Sequence, residues 1–344
     1  MNLIWNLSRM LLPGSDFRTG NAGYDVLFDD NGEELRYILQ VEEGKVTREE
    51  VIVKQETMLK RGQTGEGTIY TETEKKMLRF QPPEHELAAV ARRDAIQHRF
   101  LEPLHQWAKA VRHYSFGASL GKASLGVLVK EGPEANDRDE NQVVGIFRRA
   151  SKEFGAEYVD VLIRDMAELN YRIEHVEVAT PENIKFIGPG APGDLLAVGV
   201  REQGVNAMVD QTDMSDGMFS ALSLLIQVNY SQMAKRANCI LIDDIGEGLD
   251  FERSSRLIEI LRQKAEQSSF QLVMTTNDQF VMNHVPLEEW SVLQRDGCHV
   301  RVRNYTNSRE EFEHFKFVGL SNFAFLEMDF VNGPPQEEAV GAHE

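Results

Sequence analysis

Cysteine is nearly absent from this chain of 344 residues, in which only Cys239 and Cys298 occur. Two cysteines cannot form a disulfide framework, so the sequence predicts a protein of a reducing compartment, the cytoplasm. Long apolar runs are also missing, and no stretch approaches the roughly 20 apolar residues that a membrane-spanning helix needs. The first residues, MNLIWNLSRMLL, hold apolar residues at helical spacing and lack a basic start, which predicts a helix and not a targeting segment.

Basic residues are outnumbered, with 37 lysines and arginines against 55 aspartates and glutamates and a net charge of -18. This balance disfavours a surface built to bind phosphate backbones, so nucleic acid is only a minor expectation as a partner. The nine histidines show no metal-ligand spacing. A hydrophobic fraction of 42% nevertheless allows a sizeable core, in one large domain or two.

The first third of the chain predicts short strands followed by a helix. From Tyr24, short apolar runs are separated by tight turns at 31–32 and 43–44, which predicts a three-stranded antiparallel meander. Residues 82–116 predict a helix that runs into a strand at Tyr114.

The middle of the chain alternates polar breaks with one helical stretch. Residues 131–142 contain almost no apolar side chains that could be buried, which predicts an exposed loop or linker. A long helix is expected from about Val143 to Tyr171, and the segment IGPGAPGD at 187–194 then breaks the chain. The final residues 332–344 predict a disordered tail.

The last third predicts a helix, strand, helix and strand in succession. Residues 214–234 begin with small polar residues and become strongly apolar, so Ser215 is expected to cap a helix. The run CILI is a buried strand that ends at Asp243 and Asp244, and a helix at 251–267 leads to a second buried strand that ends at TTND, 275–278. An open α/β sheet binds ligands beyond the carboxyl ends of such strands.

Two adjacent carboxylates at the end of a buried strand favour metal-assisted chemistry. A core strand fixes its last residue rigidly, so an aspartate there can hold a hydrated Mg²⁺ at little cost in entropy. The neighbouring carboxylate can then orient or polarise a water molecule. In nucleotide hydrolysis, metal placement, phosphate binding and water positioning account for most of the rate.

Four segments carry a resemblance to a known family. MSDG (214–217) resembles the signature loop of ABC-type ATPases, CILIDD their Walker B strand, EGLD (247–250) their D-loop, and MTTND the strand that ends in their switch residue. The residues in these four segments are most similar to those of the RecF/SMC-like branch, in particular to prokaryotic AAA-family ATPases related to the OLD family. The resemblance covers about 205–330.

The resemblance implies an α/β fold with an ABC-type (P-loop NTPase-like) sheet core, an N-terminal antiparallel meander and a helical insert. It implies a lobe over 1–120, the insert over 121–185, a C-terminal lobe over 186–330 and a tail over 331–344. The function implied is that of an ATPase head that forms a homodimer around ATP and Mg²⁺. A nuclease or another effector would be its partner, in DNA repair or anti-phage defence, with no membrane involved.

The same resemblance assigns roles to individual residues. Ser215 and the N–H of Gly217 would bind the γ-phosphate of an ATP held by a second copy, since a helix N-terminus offers free donors. Asp243 would hold Mg²⁺ through water, Asp244 would take the place of the usual catalytic glutamate, Asp250 would reach across the dimer, and Asn277 would stand where the family usually has histidine.

Three departures qualify these roles. Asp244 is one methylene shorter than glutamate, and Asn277 cannot titrate near neutrality, so slow hydrolysis is expected. The chain also lacks the G-x-x-x-x-G-K-[ST] loop that wraps nucleotide phosphates. The nearest string, FGASLGKAS at 116–124, has one residue too few between its glycines and Ala123 in place of the hydroxyl residue, which leaves it a weak candidate for a divergent P-loop.

The opening helix offers an explanation for the missing loop, because in the family the P-loop leads directly into such a helix. We therefore expect a strand and loop to have been lost before Met1, through a late start site, a truncated gene or real degeneration. Two alternatives stay open: a nucleotide-gated or degenerate scaffold without hydrolysis, and an independent nucleic-acid-processing enzyme. Taken singly, the motifs are also typical of a helix cap, a strand end and a turn.

Overall fold

A computed structural model describes residues 1–14, 20–30, 32–118, 120–128, 135–181, 194–268, 270–318 and 320–327. The predicted disordered tail and nearly all of the break at 187–194 lie outside the described residues. The chain divides into two compact units. Unit one comprises Met1–Tyr114, Ser231–Leu241 and Ser268–Val273, and unit two comprises Ser115–Tyr230, Ile242–Gln267 and Met274–Glu344. The domain boundaries expected from the sequence stay predictions.

Unit one begins with α1 (Asn2–Met10), as the apolar spacing predicts, and continues into an antiparallel meander. The expectation of three strands was wrong, because the meander has six, in the order of the chain. The later strands were missed because their sequences are largely polar and only half buried. The strands are β1 (Ala22–Asp30), β2 (Glu33–Glu42), β3 (Lys45–Val53), β4 (Glu56–Arg61), β5 (Gly67–Thr71) and β6 (Lys76–Phe80).

A hydrophobic core forms between the meander and the helices of unit one. Alternate residues of the strands contribute to it, and helical residues such as Leu7 and Leu104 complete it. After the meander come α2 (Ala88–Ala91), a short 3₁₀ turn at Arg99–Leu101 and α3 (Glu102–Ala110). Helix α3 runs directly into strand β7 (Val111–Ser115), which confirms the predicted helix-to-strand succession.

One carboxylate is fully buried in unit one. Glu49 accepts hydrogen bonds from the hydroxyl of Tyr37 (3.0 Å) and from the main-chain N–H groups of Ala88 (2.6 Å) and Ala89 (2.9 Å). These bonds tie strand β3 to the start of α2. Burial nevertheless raises the pKa of Glu49, although the hydrogen bonds and the charge of Arg61 oppose that rise.

The middle of the chain corrects a second expectation. In place of one helix from about 143 to 171 there are two, α4 (Val143–Phe154) and α5 (Ala156–Glu168). Between them Gly155 has φ +62°, a conformation outside the right-handed helix that glycine adopts at little cost. The neighbouring antiparallel strands are β8 (Gly126–Leu128), β9 (Ile173–Ala179), β10 (Asp194–Glu202) and β11 (Val209–Asp210).

Next in the chain come α6 (Asp216–Met233), β12 (Cys239–Asp243), α7 (Phe251–Gln267), β13 (Gln271–Met274) and α8 (Gln279–His284). Helix α6 is apolar on nearly all sides and correspondingly buried, whereas α7 buries one face that includes Leu257, Ile258 and Leu261. A sheet forms in the order β13-β12-β7. Its strands are parallel, so the predicted α/β class with an N-terminal antiparallel meander is confirmed.

The described part of the chain ends in a small cluster around Phe312, Phe315 and Phe325. Its elements are a 3₁₀ turn at Leu287–Glu289, the hairpin of β14 (Ser291–Asp296) and β15 (His299–Asn304), α9 (Arg309–Val318) and α10 (Ala324–Glu327). Among the described residues, no helix is long and apolar enough to cross a membrane.

Candidate functional site

All of the residues that the sequence assigns to the site lie in unit two. Asp243 is the last residue of β12 and is half buried, and Asp244 follows it exposed to solvent. The N–H of Phe116, just after β7, donates to the carbonyl of Asp243 (2.9 Å), and the N–H of Thr275, just after β13, donates to that of Ile242 (2.9 Å). The predicted placement of two carboxylates at the carboxyl edge of the sheet therefore agrees with the structure.

Thr275 connects the two aspartates, a contact that sequence reasoning missed. Its hydroxyl donates to Oδ1 of Asp243 (2.9 Å) and accepts the N–H of Asp244 (3.1 Å). The N–H of Ile245 also donates to the carbonyl of Thr275 (3.0 Å). Asp244 itself has φ +56°, in the left-handed region, so the chain reverses directly after the strand. The only signal in the sequence was a hydroxyl residue at the end of the next strand.

The turn before α6 is exposed and is capped as predicted. The N–H of Met218 donates to the hydroxyl of Ser215 (3.3 Å), so Ser215 satisfies one of the free donors of the first helical turn. Gly217 lies against the loop that follows β12. A Cβ at this position would lie 2.6 Å from the carbonyl oxygen of Gly248 and 3.1 Å from Cδ2 of Leu249. Only glycine permits the signature-like turn and the D-loop-like segment to approach this closely.

A second glycine lies against the carboxylates, and sequence reasoning missed this contact as well. A Cβ on Gly117, which follows β7, would overlap Oε2 of Glu247 and lie 3.3 Å from Cβ of Asp244. Glu247 is exposed and shares the edge of the sheet with Asp244. Sequence spacing could not reveal this pair, because Gly117 and Glu247 lie far apart in the chain.

The string at 116–124 does not have the geometry of a P-loop. A P-loop joins a strand to a helix, whereas here the chain continues into strand β8. The ammonium of Lys122 donates to the carbonyl of Met214 (2.7 Å) and to Oδ1 of Asp216 (2.5 Å). Lys122 therefore holds the turn that contains Ser215.

Asp250 and Asn277 occupy the two loops that flank this edge. Asp250 accepts the N–H of Arg253 (3.0 Å) at the start of α7, and its other carboxylate oxygen pairs with the Arg253 guanidinium. The hydrogen bond from that N–H, with the guanidinium, lowers the pKa of Asp250. Asn277 is exposed in the loop between β13 and α8. The roles assigned to both residues stay predictions.

The acidic residues at the end of β12 are candidate ligands for Mg²⁺. Among the described residues, no group of three or more histidine, cysteine or acidic side chains is placed to hold a metal ion. Mg²⁺ usually needs only one or two protein carboxylates, because it keeps several water molecules and binds substrate phosphates. Asp243, oriented by Thr275 at a solvent-facing edge, fits that requirement.

Comparisons with known proteins give distant likenesses. No family profile matches the chain, and no curated protein matches it. The Smc head domain with a coiled coil and joint from Pyrococcus yayanosii is 18% identical, with a TM-score of 0.32, over 49% of this chain and 32% of that one. This chain thus spans about a third of the length of that head-domain chain.

This chain covers a larger share of two further Smc heads. The SmcHead bound to the C-winged helix domain of ScpA is 13% identical over 88% of this chain and 84% of that chain, with a TM-score of 0.47. The Smc head with an extended coiled coil bound to the C-terminal domain of ScpA from Pyrococcus furiosus is 13% identical over 83% and 80%, with a TM-score of 0.36. At these TM-scores and identities, the likeness to Smc heads assigns neither family nor function.

Proposed function

We propose that this chain is an ATPase head of the ABC type, from the SMC/RecF-like branch and related to the OLD family. The observation that carries the proposal is the convergence at one edge of unit two. There, Asp243 and Asp244 end a core strand, Thr275 bonds both, and Gly217 brings a capped helix against the loop that follows them. This arrangement offers carboxylates for Mg²⁺ and water, and it holds in place a capped helix start whose free N–H groups can serve the nucleotide of a second copy.

In the proposed reaction, Asp243 holds Mg²⁺ through water and Asp244 orients the water that attacks the γ-phosphate. ATP and Mg²⁺ are the cofactors, and the metal neutralises charge on the phosphates when it is bound. Ser215 and Gly217 of a second copy donate to the γ-phosphate, Asp250 reaches across the dimer, and Asn277 donates a hydrogen bond to phosphate. Ser215 is exposed, and its hydroxyl, which accepts the N–H of Met218, still has its own proton to donate.

The proposal requires a phosphate-binding loop that residues 1–344 do not contain, and Lys122 is already bound to the α6 turn. We therefore propose that a polypeptide segment other than residues 1–344 supplies this loop. The decisive comparison is between residues 1–344 and the same chain extended by its in-frame upstream codons. Mg²⁺-dependent ATP hydrolysis that appears only in the extended chain supports the proposal.

The test of the site uses Asp244→Asn in whichever of these chains hydrolyses ATP. Loss of the carboxylate should lower the hydrolysis rate by at least about 100-fold, the scale of a group that activates water, while ATP binding persists. The matched control is Asp160→Asn, an exposed aspartate on α5 that should leave the rate unchanged. Equal rates of hydrolysis in the two variants would show that Asp244 takes no part in the reaction.

A nucleotide-gated scaffold without hydrolysis is the second candidate. It is favoured by the shorter carboxylate at 244 and by an amide at 277, which cannot exchange a proton near neutrality. ATP binding and ATP-dependent dimerisation without turnover, in both chain lengths, would support it over the ATPase. For either candidate we propose a cytoplasmic homodimer that acts on a nuclease or another effector in DNA repair or anti-phage defence. Sedimentation with and without ATP and Mg²⁺ tests the dimer.

A further inference from the structure

The hydroxyl of Thr275 contacts both acidic residues of the proposed site. Its Oγ1 lies 2.9 Å from Oδ1 of Asp243, to which it donates, and 3.1 Å from the main-chain nitrogen of Asp244, from which it accepts. A threonine hydroxyl can donate one hydrogen bond and accept others, so both contacts can exist at once. One side chain just after β13 thereby sets the geometry at the end of β12.

We propose that Thr275 is the positioning residue of the Mg²⁺-nucleotide site, an inference that rests on the proposed ATPase function. It acts in two ways. Its donated hydrogen bond fixes the rotation of the Asp243 carboxylate, the group that would hold Mg²⁺. Its accepted hydrogen bond satisfies the N–H of Asp244 and supports the left-handed backbone of that residue, which aims the second carboxylate.

Thr275 also links the loop that carries Asn277 to the metal carboxylate. Only one residue separates the two positions, and Thr276 between them is bonded to the same neighbouring segment, donating from its hydroxyl to the carbonyl of Ile245 (3.1 Å). A displacement of the Asn277 loop would therefore be transmitted to Asp243 through the Thr275 hydroxyl. Thr275 positions Asp243 and Asp244 and does not itself contact the reacting atoms.

The test compares three variants of the chain that hydrolyses ATP. Thr275→Val has nearly the same shape and lacks the hydroxyl, Thr275→Ser restores the hydroxyl, and Thr276→Val is the matched control. Thr276 bonds the main chain of Ile245 and Asp278, so its loss removes hydrogen bonds from the same loop without touching a carboxylate. Mg²⁺ affinity is measured by titrating MgCl₂ into protein saturated with a non-hydrolysable ATP analogue, and thermal unfolding is recorded without ligand.

Thr275→Val should weaken Mg²⁺ binding by about 10- to 100-fold, the usual effect of losing a group that orients a metal ligand. Thr275→Ser should return the affinity to near the wild-type value. Thr276→Val should lower the unfolding temperature but leave the Mg²⁺ affinity unchanged. Equal Mg²⁺ affinities in Thr275→Val and the wild type, or equal losses in Thr275→Val and Thr276→Val, would overturn the inference.

The outcome also separates this inference from the proposed function. If Asp244→Asn abolishes hydrolysis while Thr275→Val leaves Mg²⁺ affinity intact, the ATPase stands and the role of Thr275 falls. If neither chain length binds the ATP analogue with Mg²⁺, both fall together.

Discussion

Gly217 gives a direct test of whether the turn before α6 and the loop after β12 meet as described. A Cβ at this position would lie 2.6 Å from the carbonyl oxygen of Gly248. Atoms in favourable contact lie about 3.5 Å apart, so the carbonyl would have to retreat by roughly 0.9 Å. The obstacle is main chain and cannot swing aside as a flexible side chain would. Valine at 217 should therefore strain both segments.

The size of the effect follows from two opposing contributions. Overpacking of a well-packed site costs about 1–3 kcal/mol. Replacing glycine by valine inside a helix returns only about 0.3 kcal/mol, because both residues are poor helix formers. Overpacking dominates, so Gly217→Val should destabilise the fold by about 1–3 kcal/mol and lower the melting temperature by about 1–2 °C for each kcal/mol.

Differential scanning calorimetry measures this shift, with Gly23→Val as the control. Gly23 lies in β1, and a Cβ there would meet nothing within 4 Å. Valine is favourable in strands, so the control should melt at or above the wild-type temperature. In the proposed ATPase, Gly217→Val should also abolish hydrolysis, because it displaces the turn that binds phosphate. If Gly217→Val melts at the same temperature as Gly23→Val, the close approach of Gly217 to Gly248 is refuted.

Two further predictions concern buried charge. Because burial raises the pKa of Glu49, the stability contributed by its protonated form is fully present below the ordinary value near 4.5 and is lost as pH rises through the raised pKa. Urea unfolding across this range should show that loss in the wild type and not in Glu49→Gln; equal pH profiles would contradict it. Lys264 forms a nearly buried ion pair with Asp165 (2.9 Å), to which Asn229 also donates (2.7 Å). Lys264→Ala should therefore cost about 3–5 kcal/mol by urea unfolding, because it strands a buried carboxylate, while the exposed Lys152→Ala should cost little.

Local sequence signals were sufficient for the elements of the site. An apolar run followed by paired aspartates predicted both the buried strand β12 and its polar end, and a small polar residue before an apolar stretch predicted the cap at Ser215. Each of these signals depends on residues adjacent in the chain. The class of the fold followed from the same strand and helix succession.

Contacts between distant segments could not be predicted in the same way. The Thr275 bonds to Asp243 and Asp244, and the approach of Gly117 to Glu247, depend on which strands are neighbours in the sheet. The meander was underestimated because polar strands with one half-buried face lack a strong alternating pattern. The break at Gly155 was missed because a glycine within an apolar pattern is compatible with a continuous helix.

The backbone at Asp244 supplies a physical reason for the shorter carboxylate there. With φ +56°, this residue occupies the left-handed region, which costs most L-residues roughly 1–2 kcal/mol and which aspartate and asparagine tolerate best. A glutamate would reach further toward a nucleotide but is less suited to this turn. The N–H of Asp244 is satisfied by Thr275, so the turn and the residue type support each other. In the proposed ATPase, the aspartate at 244 in place of the glutamate that the resemblance implies therefore follows from how the chain leaves β12.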